Sequence, residues 1–301
     1  MKMKSIRDIQ KSIRVANSQF KLSDFSTLVS LKSSKGKNDL KDRLDRDIEE
    51  ISKLQNRLYA ENRQSLLIIF QGMDSSGKDG TIKHIMKGVN PQGVLVSSFK
   101  HPSVLELEHD YLWRHSVKLP EHGQIVIFNR SHYENVLISK VHPELILAEG
   151  IKGYDKISKI DKAFWKLRYN QINQFEKSNI ETGTQVLKFF LHISKDEQCK
   201  RFLDRINNPD KHWKFSSNDI EERKYWSIYQ EAYEQAIKHT STKIAPWFII
   251  PADDKIGAHT LIGRIVLEKL KEMKPTFPPK TKIEEEYMQK AALNLELELK
   301  H

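Results

Sequence analysis

Residues 66–80 read LLIIFQGMDSSGKDG, an apolar run that leads into a glycine-rich loop of the form GxxxxGK. The run predicts a buried strand, and apolar residues at helical spacing after the loop predict a helix. In that context glycines let backbone N–H groups turn toward phosphate oxygens, and the helix N-terminus adds positive potential. The sequence therefore predicts a phosphate-binding loop made of Gly72, Met73, Ser75, Ser76, Gly77, Lys78, Asp79 and Gly80.

Two acids distinguish this loop from its common form. Asp79 stands where Ser or Thr usually gives a hydroxyl to magnesium, and Asp74 adds a second carboxylate. Two carboxylates beside a phosphate would repel it unless metal ions lay between them, so the loop predicts Mg²⁺. An alternative role for Asp74 is to orient an acceptor phosphate. Lys78 is predicted to bring positive charge to a transferred phosphoryl group.

A second polar cluster follows the apolar run QIVIF at 124–128. A strand in this place often ends in a magnesium-binding Asp, but Asn129 stands here. An amide is a weaker and neutral ligand, so Glu134 or the loop acids are candidates for the missing charge. Arg130 is a candidate to neutralise charge on a moving phosphoryl group. The predicted metal ligands are Asp74, Asp79 and Glu134.

A basic strip lies further along the chain, after a predicted helix start at 194–197 whose spacing is that of a capping box. Arg201 and Arg205 are one helical turn apart and so share a face. Residues 200–225 are predicted to form a lid over phosphates, the alternative being a solvated basic helix. Trp213 is a candidate to stack on a base, or to pack within the lid. The strip comprises Lys200, Arg201, Arg205, Lys211 and Lys214.

Strand and helix signals alternate through the chain, and this predicts an α/β fold with a mostly parallel sheet covered on both faces. The fold class expected is a three-layer α/β/α kinase with a helical lid. We predict a basic N-terminal arm at 1–37, a kinase domain at 38–272 and a C-terminal tail helix at 273–301. Predicted strands lie at 66–70, 94–99, 124–128, 186–193 and 247–250, and predicted helices around 105–115, 160–178 and 221–238.

An apolar stripe at 40–58 predicts a long amphipathic helix that begins at an Asn38 cap. The stripe packs either on the core or on a partner subunit. 

Composition narrows the class of protein. The 301 residues include 50 Lys and Arg against 40 Asp and Glu, and the net charge of +10 favours acidic partners. Cys199 is the only cysteine, so no intrachain disulfide can form and a reducing cytoplasm is expected. Residues 1–20 lack an apolar signal segment, and the apolar runs are far shorter than the roughly 20 residues that span a bilayer. No membrane partner is expected.

Taken together, these motifs resemble the polyphosphate kinase 2 family over about residues 66–270. The segment FNRS at 128–131 with Glu134 resembles the branch that phosphorylates both nucleoside mono- and diphosphates. Besides the loop, the resemblance rests on HDYLWR at 109–114, FNRSHYE at 128–134, KFFLHISKDEQ at 188–198, WKFS at 213–216, APW at 245–247 and PADDK at 251–255.

The resemblance implies a thymidylate-kinase-like fold and Mg²⁺-dependent transfer of the terminal phosphoryl group of inorganic polyphosphate to AMP and ADP. It implies catalytic roles for Asp74, Lys78, Arg130, Arg201 and Arg205. Lys211 and Lys214 are added as phosphate-binding residues, and Asn129, Glu134 and Trp213 as nucleotide-binding ones. Expected partners are polyphosphate, adenine or guanine nucleotides and a second copy of the chain.

Two other functions are compatible with the same residues. One is a kinase that takes phosphate from ATP, because this fold and loop serve both donors. The other is a nucleic-acid-binding NTPase whose basic strip holds a phosphodiester backbone. Aromatic residues do not alternate with the basic ones along the strip as stacking on single strands would favour, so no nucleic-acid partner is expected.

Overall fold

A five-stranded parallel sheet forms the centre of the molecule, in a computed structural model that describes residues 11–15, 19–28 and 37–300. The spatial order of its strands is β2-β3-β1-β4-β5, and every paired strand runs parallel to its neighbour. The five predicted strands and the α/β fold class are thereby confirmed. The strands are β1 (Ser65–Gln71), β2 (Val94–Ser98), β3 (Ile125–Asn129), β4 (Thr184–His192) and β5 (Trp247–Pro251).

The helices alternate with these strands along the chain. They are α1 (Lys37–Glu61), α2 (Lys78–Ile85), α3 (Val104–Leu107), α4 (Trp113–Ser116), α5 (Ile138–Val141), α6 (Glu144–Leu147), α7 (Lys162–Glu181), α8 (Lys195–Asn207), α9 (Ser217–Glu222), α10 (Trp226–Thr240), α11 (Lys255–Met273) and α12 (Lys282–Glu298). Short 3-10 helices include His132–Val136 after β3 and Arg223–Tyr225 before α10.

The burial of β1 agrees with its central place in the sheet. All seven residues of β1 are buried, as expected for the central strand of a sheet covered on both faces. Helix α11 packs on both α1 and α2, and α7 and α10 form a second group. Phe70 near the end of β1 lies opposite Asn129 of β3 and Phe189 of β4, so neighbouring strands end at one edge. 

The apolar stripe of α1 packs inside the chain rather than on a free surface. Leu44 approaches α11 so closely that a Cβ on Gly263 would lie 2.9 Å from its Cδ1. Of the two places that the sequence left open for this stripe, the core is the one observed, and the helix begins at Lys37, one residue before the expected cap. The stripe residues buried in this way are Leu40, Leu44, Ile48, Ile51 and Leu58.

The described part of the predicted arm is packed on the core around the sheet. Ile13, Val15, Phe20 and Leu22 are buried in the same cluster as the sheet. The Val15 N–H donates to the Trp247 carbonyl at 2.9 Å, beside the outer edge of β5. Residues 1–10, 16–18 and 29–36 of the predicted arm lie outside the described residues.

Two local expectations need correction. The pattern around 105–115 forms two short helices, α3 and α4, separated by a turn in which Asp110 accepts a hydrogen bond from the Leu112 N–H. The capping box at the start of α8 is half formed, because the Ser194 hydroxyl accepts from the Glu197 N–H but the Ser194 N–H donates to Asp253. The freed Glu197 carboxylate pairs with Arg201 instead.

The tail helix α12 stands apart from the core, with exposed side chains along nearly its whole length. A full capping box at Thr281 and Glu284 starts it. Within the described ranges, no helix is long and apolar enough to cross a membrane.

The buried His115 predicts that the folded protein loses stability as the pH falls. Burial, and next the neighbouring His132 and Arg114, lower the pKa of His115 from 6.5 to about 2. The unfolded chain therefore binds a proton below pH 6.5 that the folded chain does not bind, so stability is lost as the pH falls through 6.5. We expect His115→Asn to reduce the slope of unfolding free energy against pH between 6 and 4 by about 1.4 kcal/mol per pH unit.

The measurement is urea unfolding at several pH values for the wild type, His115→Asn and the exposed control His122→Asn. Asparagine can still donate to the Tyr111 carbonyl, which His115 Nδ1 contacts at 3.1 Å. An unchanged slope in His115→Asn would show that the imidazole is not the group titrating.

Candidate active site

The predicted phosphate loop connects β1 to α2 at the carboxyl edge of the sheet, at residues 72–80. Its backbone requires glycine at two positions. A Cβ on Gly72 would lie 2.7 Å from the Ser76 Oγ and 2.9 Å from the Leu191 carbonyl. Gly77 has φ +102°, in the left-handed region, directly before α2 begins. The loop is therefore tightly wound against β4.

Lys78, the lysine of the loop, is buried and turned back across it. Its Nζ donates to the carbonyls of Gly72 at 2.7 Å and Met73 at 3.2 Å. Burial lowers the pKa of this lysine, and the neighbouring Arg130 lowers it further. The ammonium thus stands at the centre of the loop, where a phosphate oxygen could replace a carbonyl as its partner.

The two loop acids reach the end of β3. Arg130 Nη2 contacts Asp74 Oδ1 at 2.6 Å, and Asn129 Nδ2 donates to Asp79 Oδ1 at 2.6 Å. Arg130 has φ +62°, a left-handed turn directly after the strand, and its N–H donates to the Phe70 carbonyl. The structure therefore brings together the four residues that the sequence proposed from two separate segments.

Glu134, the remaining predicted ligand, lies on the 3-10 helix His132–Val136. Burial raises the pKa of its carboxyl group, whereas the positive charges of Arg130 and Lys78 oppose that rise. Ser131 fixes the start of this helix by accepting hydrogen bonds from the Tyr133 N–H and from Gln71 Nε2. Glu134 consequently faces the cationic side of the loop.

A fully buried lysine supports this helix from behind. Lys188 Nζ donates to the Tyr133 hydroxyl at 2.9 Å, to Glu176 Oε2 at 2.6 Å and to the Thr240 carbonyl at 2.7 Å. The Tyr133 hydroxyl in turn donates to Glu176 at 2.7 Å. All three ammonium protons have acceptors, so the charge is buried at a modest cost. Lys188 was not among the predicted site residues.

The basic strip divides into two groups. Arg205 contacts Asp219 of α9 at 3.2 Å, and Lys211 contacts Asp204 at 2.6 Å. Arg201 points instead to the phosphate loop and donates to the carbonyls of Ser75 and Ser76. Arg205 and Lys211 are therefore paired within the protein, and a direct contact of either with phosphate stays a prediction.

Lys214 and Trp213 lie next to each other in the lid. The Lys214 ammonium is 4.8 Å from the Trp213 ring centroid, and the tryptophan is 79% exposed. Of the two roles left open for Trp213, packing inside the lid is therefore not the one observed. Its predicted contact with a base stays untested.

Comparison with known proteins identifies the family. A model of the family described as Polyphosphate kinase 2 (PPK2) matches residues 34–278. The chain belongs to the polyphosphate kinase 2 family. A Rhodopseudomonas palustris relative, named ADP-polyphosphate phosphotransferase, is 48% identical over 234 residues, which cover 78% of this chain and 80% of the relative. A Meiothermus ruber relative, named AMP/ADP-polyphosphate phosphotransferase, is 45% identical over 228 residues, with 76% and 80% covered.

A solved structure agrees with the fold described above. The crystal structure of Polyphosphate Kinase 2 from Arthrobacter aurescens TC1 superposes with a TM-score of 0.85 at 35% identity and covers 98% of each chain. Membership of the polyphosphate kinase 2 family, expected from the motifs, is therefore confirmed.

The acids of this polyphosphate kinase 2 site fit an open magnesium site. Mg²⁺ in phosphoryl-transfer enzymes takes one or two carboxylates together with waters and substrate phosphates. Asp74 and Asp79 flank the loop in this way, and both already accept short hydrogen bonds from neighbouring side chains. In the part of the chain that is described, no three acids, histidines or cysteines cluster into a closed metal cage.

Sequence reasoning missed the residues that support the site. Lys188 lies within an apolar strand, and Gln198 is neutral within a basic helix, so neither has a pattern of its own. Asp219 faces the site from the lid, where burial and then the charge of Asp74 raise its pKa. The sequence signals were that Lys188 interrupts an otherwise apolar strand and that Lys188 and Gln198 begin and end the 188–198 segment on which the family resemblance partly rests.

The contact between Asn129 and Asp79 yields a prediction. Asn129→Asp would place two carboxylates where an amide now donates at 2.6 Å. In the absence of divalent metal, we expect repulsion to lower the free energy of unfolding by about 1 kcal/mol, a fall of about 2–4 °C in Tm. Millimolar Mg²⁺ should restore the loss, because a cation between the acids removes the repulsion.

Thermal unfolding with EDTA and with Mg²⁺ checks this, with Asn129→Ala as the control that removes the hydrogen bond without adding charge. Equal Mg²⁺ stabilisation of the wild type and both variants would argue against a metal at these acids.

Proposed function

We propose that this chain transfers the terminal phosphoryl group of inorganic polyphosphate to AMP and to ADP, with magnesium. The observation that carries the proposal is the convergence of Lys78, Arg130, Asp74 and Asp79 on one phosphate loop. The names of the Meiothermus and Rhodopseudomonas relatives support polyphosphate as the donor. They differ in whether AMP is named, so the acceptor is the finer part of the proposal.

The loop residues hold the donor. The terminal phosphate lies against the loop N–H groups, and Lys78 exchanges its contacts with Gly72 and Met73 for phosphate oxygens. Arg130 stabilises charge on the phosphoryl group as it moves. Asp74 and Asp79 would hold magnesium, which would supply positive charge against the phosphates.

The reaction needs no covalent enzyme intermediate. An oxygen of the acceptor phosphate attacks the terminal phosphorus in line, and the bond to the bridging oxygen breaks. The products are a nucleotide longer by one phosphate and a polyphosphate shorter by one. The lid at 200–225 excludes water, and Arg205 and Lys211 exchange their partners Asp219 and Asp204 for oxygens of the polyanion, which Lys214 also contacts.

The acceptor lies toward the end of β3. Asn129 and Glu134 are the candidates for its polar contacts, and the exposed Trp213 ring is free to stack on an adenine or guanine base. Glu134 would be a further carboxylate toward magnesium beside Asp74 and Asp79.

The proposal also includes an oligomeric state and a cellular compartment for this protein. The exposed apolar side chains Ile283, Tyr287 and Leu295 on α12 support a homo-oligomer. The single, exposed Cys199 suits a reducing cytoplasm. We keep the division into an N-terminal segment at 1–37, a kinase domain at 38–272 and a tail at 273–301.

The test is formation of ADP and ATP from AMP, and of ATP from ADP, with long-chain polyphosphate and Mg²⁺ as the only additions. We expect both acceptors to react. Lys78→Ala should lower kcat by about 100-fold or more, because it removes the charge that meets the phosphoryl group.

Arg43→Ala, which disrupts an exposed ion pair with Asp39 on α1, is the matched control that removes a cation far from the loop. Reaction with ATP as donor but not with polyphosphate would refute the donor. Reaction with ADP alone would refute only the monophosphate acceptor.

A further inference from the structure

Helix α8 presents two buried side chains to the outer side of the phosphate loop. Gln198 Nε2 donates to the Asp74 carbonyl at 2.9 Å. Arg201 Nη1 donates to the carbonyls of Ser75 at 3.1 Å and Ser76 at 2.9 Å. Gln198 and Arg201 are three residues apart, so they share one face of the helix. We name this pair the loop clamp, because it holds three successive carbonyls.

The geometry of the peptide bond gives these contacts a consequence. The C=O and N–H of a trans peptide point in opposite directions, and the described chain has no cis peptide. A carbonyl held toward α8 therefore turns the next N–H away from α8. The Ser76 N–H closes a turn onto the Met73 carbonyl at 3.1 Å. The N–H groups of Ser75 and Gly77 are left facing the side on which phosphate oxygens bind.

The Arg201 guanidinium has no nitrogen left to bind a substrate. Its Nη2 donates to the Ala252 carbonyl at 2.6 Å, directly after β5, and its Nε contacts Glu197 at 2.9 Å. Each of its three nitrogens thus has an acceptor within the protein, and the side chain is 8% exposed. The contacts join the loop after β1 to the end of β5 across the carboxyl edge.

Gln198, the other member of the loop clamp, is held by Arg223 of the lid. Gln198 Oε1 accepts from Arg223 Nη1 at 2.7 Å, and the same nitrogen donates to the Lys195 carbonyl at 2.9 Å. Gln198 is 1% exposed, so its amide has little freedom to choose other partners. A path of two hydrogen bonds therefore runs from the lid through Gln198 to the backbone of Asp74.

We propose that Gln198 and Arg201 are positioning residues that orient the peptide groups of the phosphate loop, and that Arg223 couples the lid to them through Gln198. This rests on the proposed function and changes the role expected for Arg201, which acts on the phosphates through the loop backbone rather than by contact. Because Gln198 is neutral, an effect of its removal cannot come from lost charge near the phosphates.

The first test is steady-state kinetics of Arg201→Lys and Gln198→Leu, each measured well below its own Tm. Arg201→Lys keeps the positive charge but loses the guanidinium that donates to the carbonyls of Ser75, Ser76 and Ala252. We expect kcat to fall about 100-fold. Gln198→Leu keeps the volume and should lower kcat about tenfold. The KM for AMP should stay within about twofold in both, because neither residue contacts the acceptor. Wild-type kcat in either variant would overturn the clamp.

The coupling to the lid is tested with a double variant. If Arg223 acts through Gln198, Gln198→Leu combined with Arg223→Ala should lose no more kcat than Gln198→Leu alone. If the fold-losses in kcat of the two single variants multiply in the double variant, the coupling through Gln198 is wrong. Gln92→Leu, at an exposed position, and Arg43→Lys, at a partly exposed one, both lie away from the loop; they are the matched controls and should keep wild-type kcat.

A titration separates this proposal from the proposed function. Calorimetry with tripolyphosphate, without nucleotide, should show binding to the wild type that is weakened about tenfold or more in Arg201→Lys and Gln198→Leu. Equal affinities would overturn the clamp whatever the reaction is. A wild type that binds tripolyphosphate but transfers nothing from polyphosphate would refute the proposed function alone. If Arg201→Lys fails to fold, Gln198→Leu still decides the result.

Discussion

Five strands that run in one direction bring their carboxyl ends to one edge, and three of them deliver polar groups that the site uses there. β1 delivers the phosphate loop, β3 delivers Asn129 and Arg130, and the residues after β5 offer carbonyls to Arg201. An antiparallel strand at any of these places would send its polar end to the opposite edge. The direction of the strands therefore decides where the active site lies, and the individual side chains decide its chemistry.

Charge at this edge is arranged in alternation. Arg130 contacts Asp74, Asn129 contacts Asp79, and Lys78 contacts carbonyls, so each cation or donor near the loop has a neutral or negative neighbour. Such an arrangement keeps the site folded without a ligand. It also means that polyphosphate replaces the protein's own acceptors at Lys78 and Arg130, in addition to binding the N–H groups of Ser75 and Gly77.

The sequence was sufficient for the sheet and for the centre of the site. Each strand is a short apolar run, and the loop motif and the FNRS segment are local patterns whose relation follows from parallel pairing. The supports could not be predicted, because their roles depend on distant partners. Lys188 is buried only because Glu176, Tyr133 and Thr240 surround it. Glu197 fitted a capping box, yet Asp253 took its place at the helix start and left it to pair with Arg201.

The position of Lys78 has a consequence for which anions this protein can hold. In a loop whose lysine is already bound to two carbonyls, an anion must offer more than a single weak charge to draw the ammonium away. Chloride or a lone carboxylate offers little to the surrounding N–H groups, whereas a phosphate chain presents several oxygens and a high charge density at once. The carbonyls of Gly72 and Met73 thus compete with an incoming anion for the ammonium, and this competition disfavours singly charged anions.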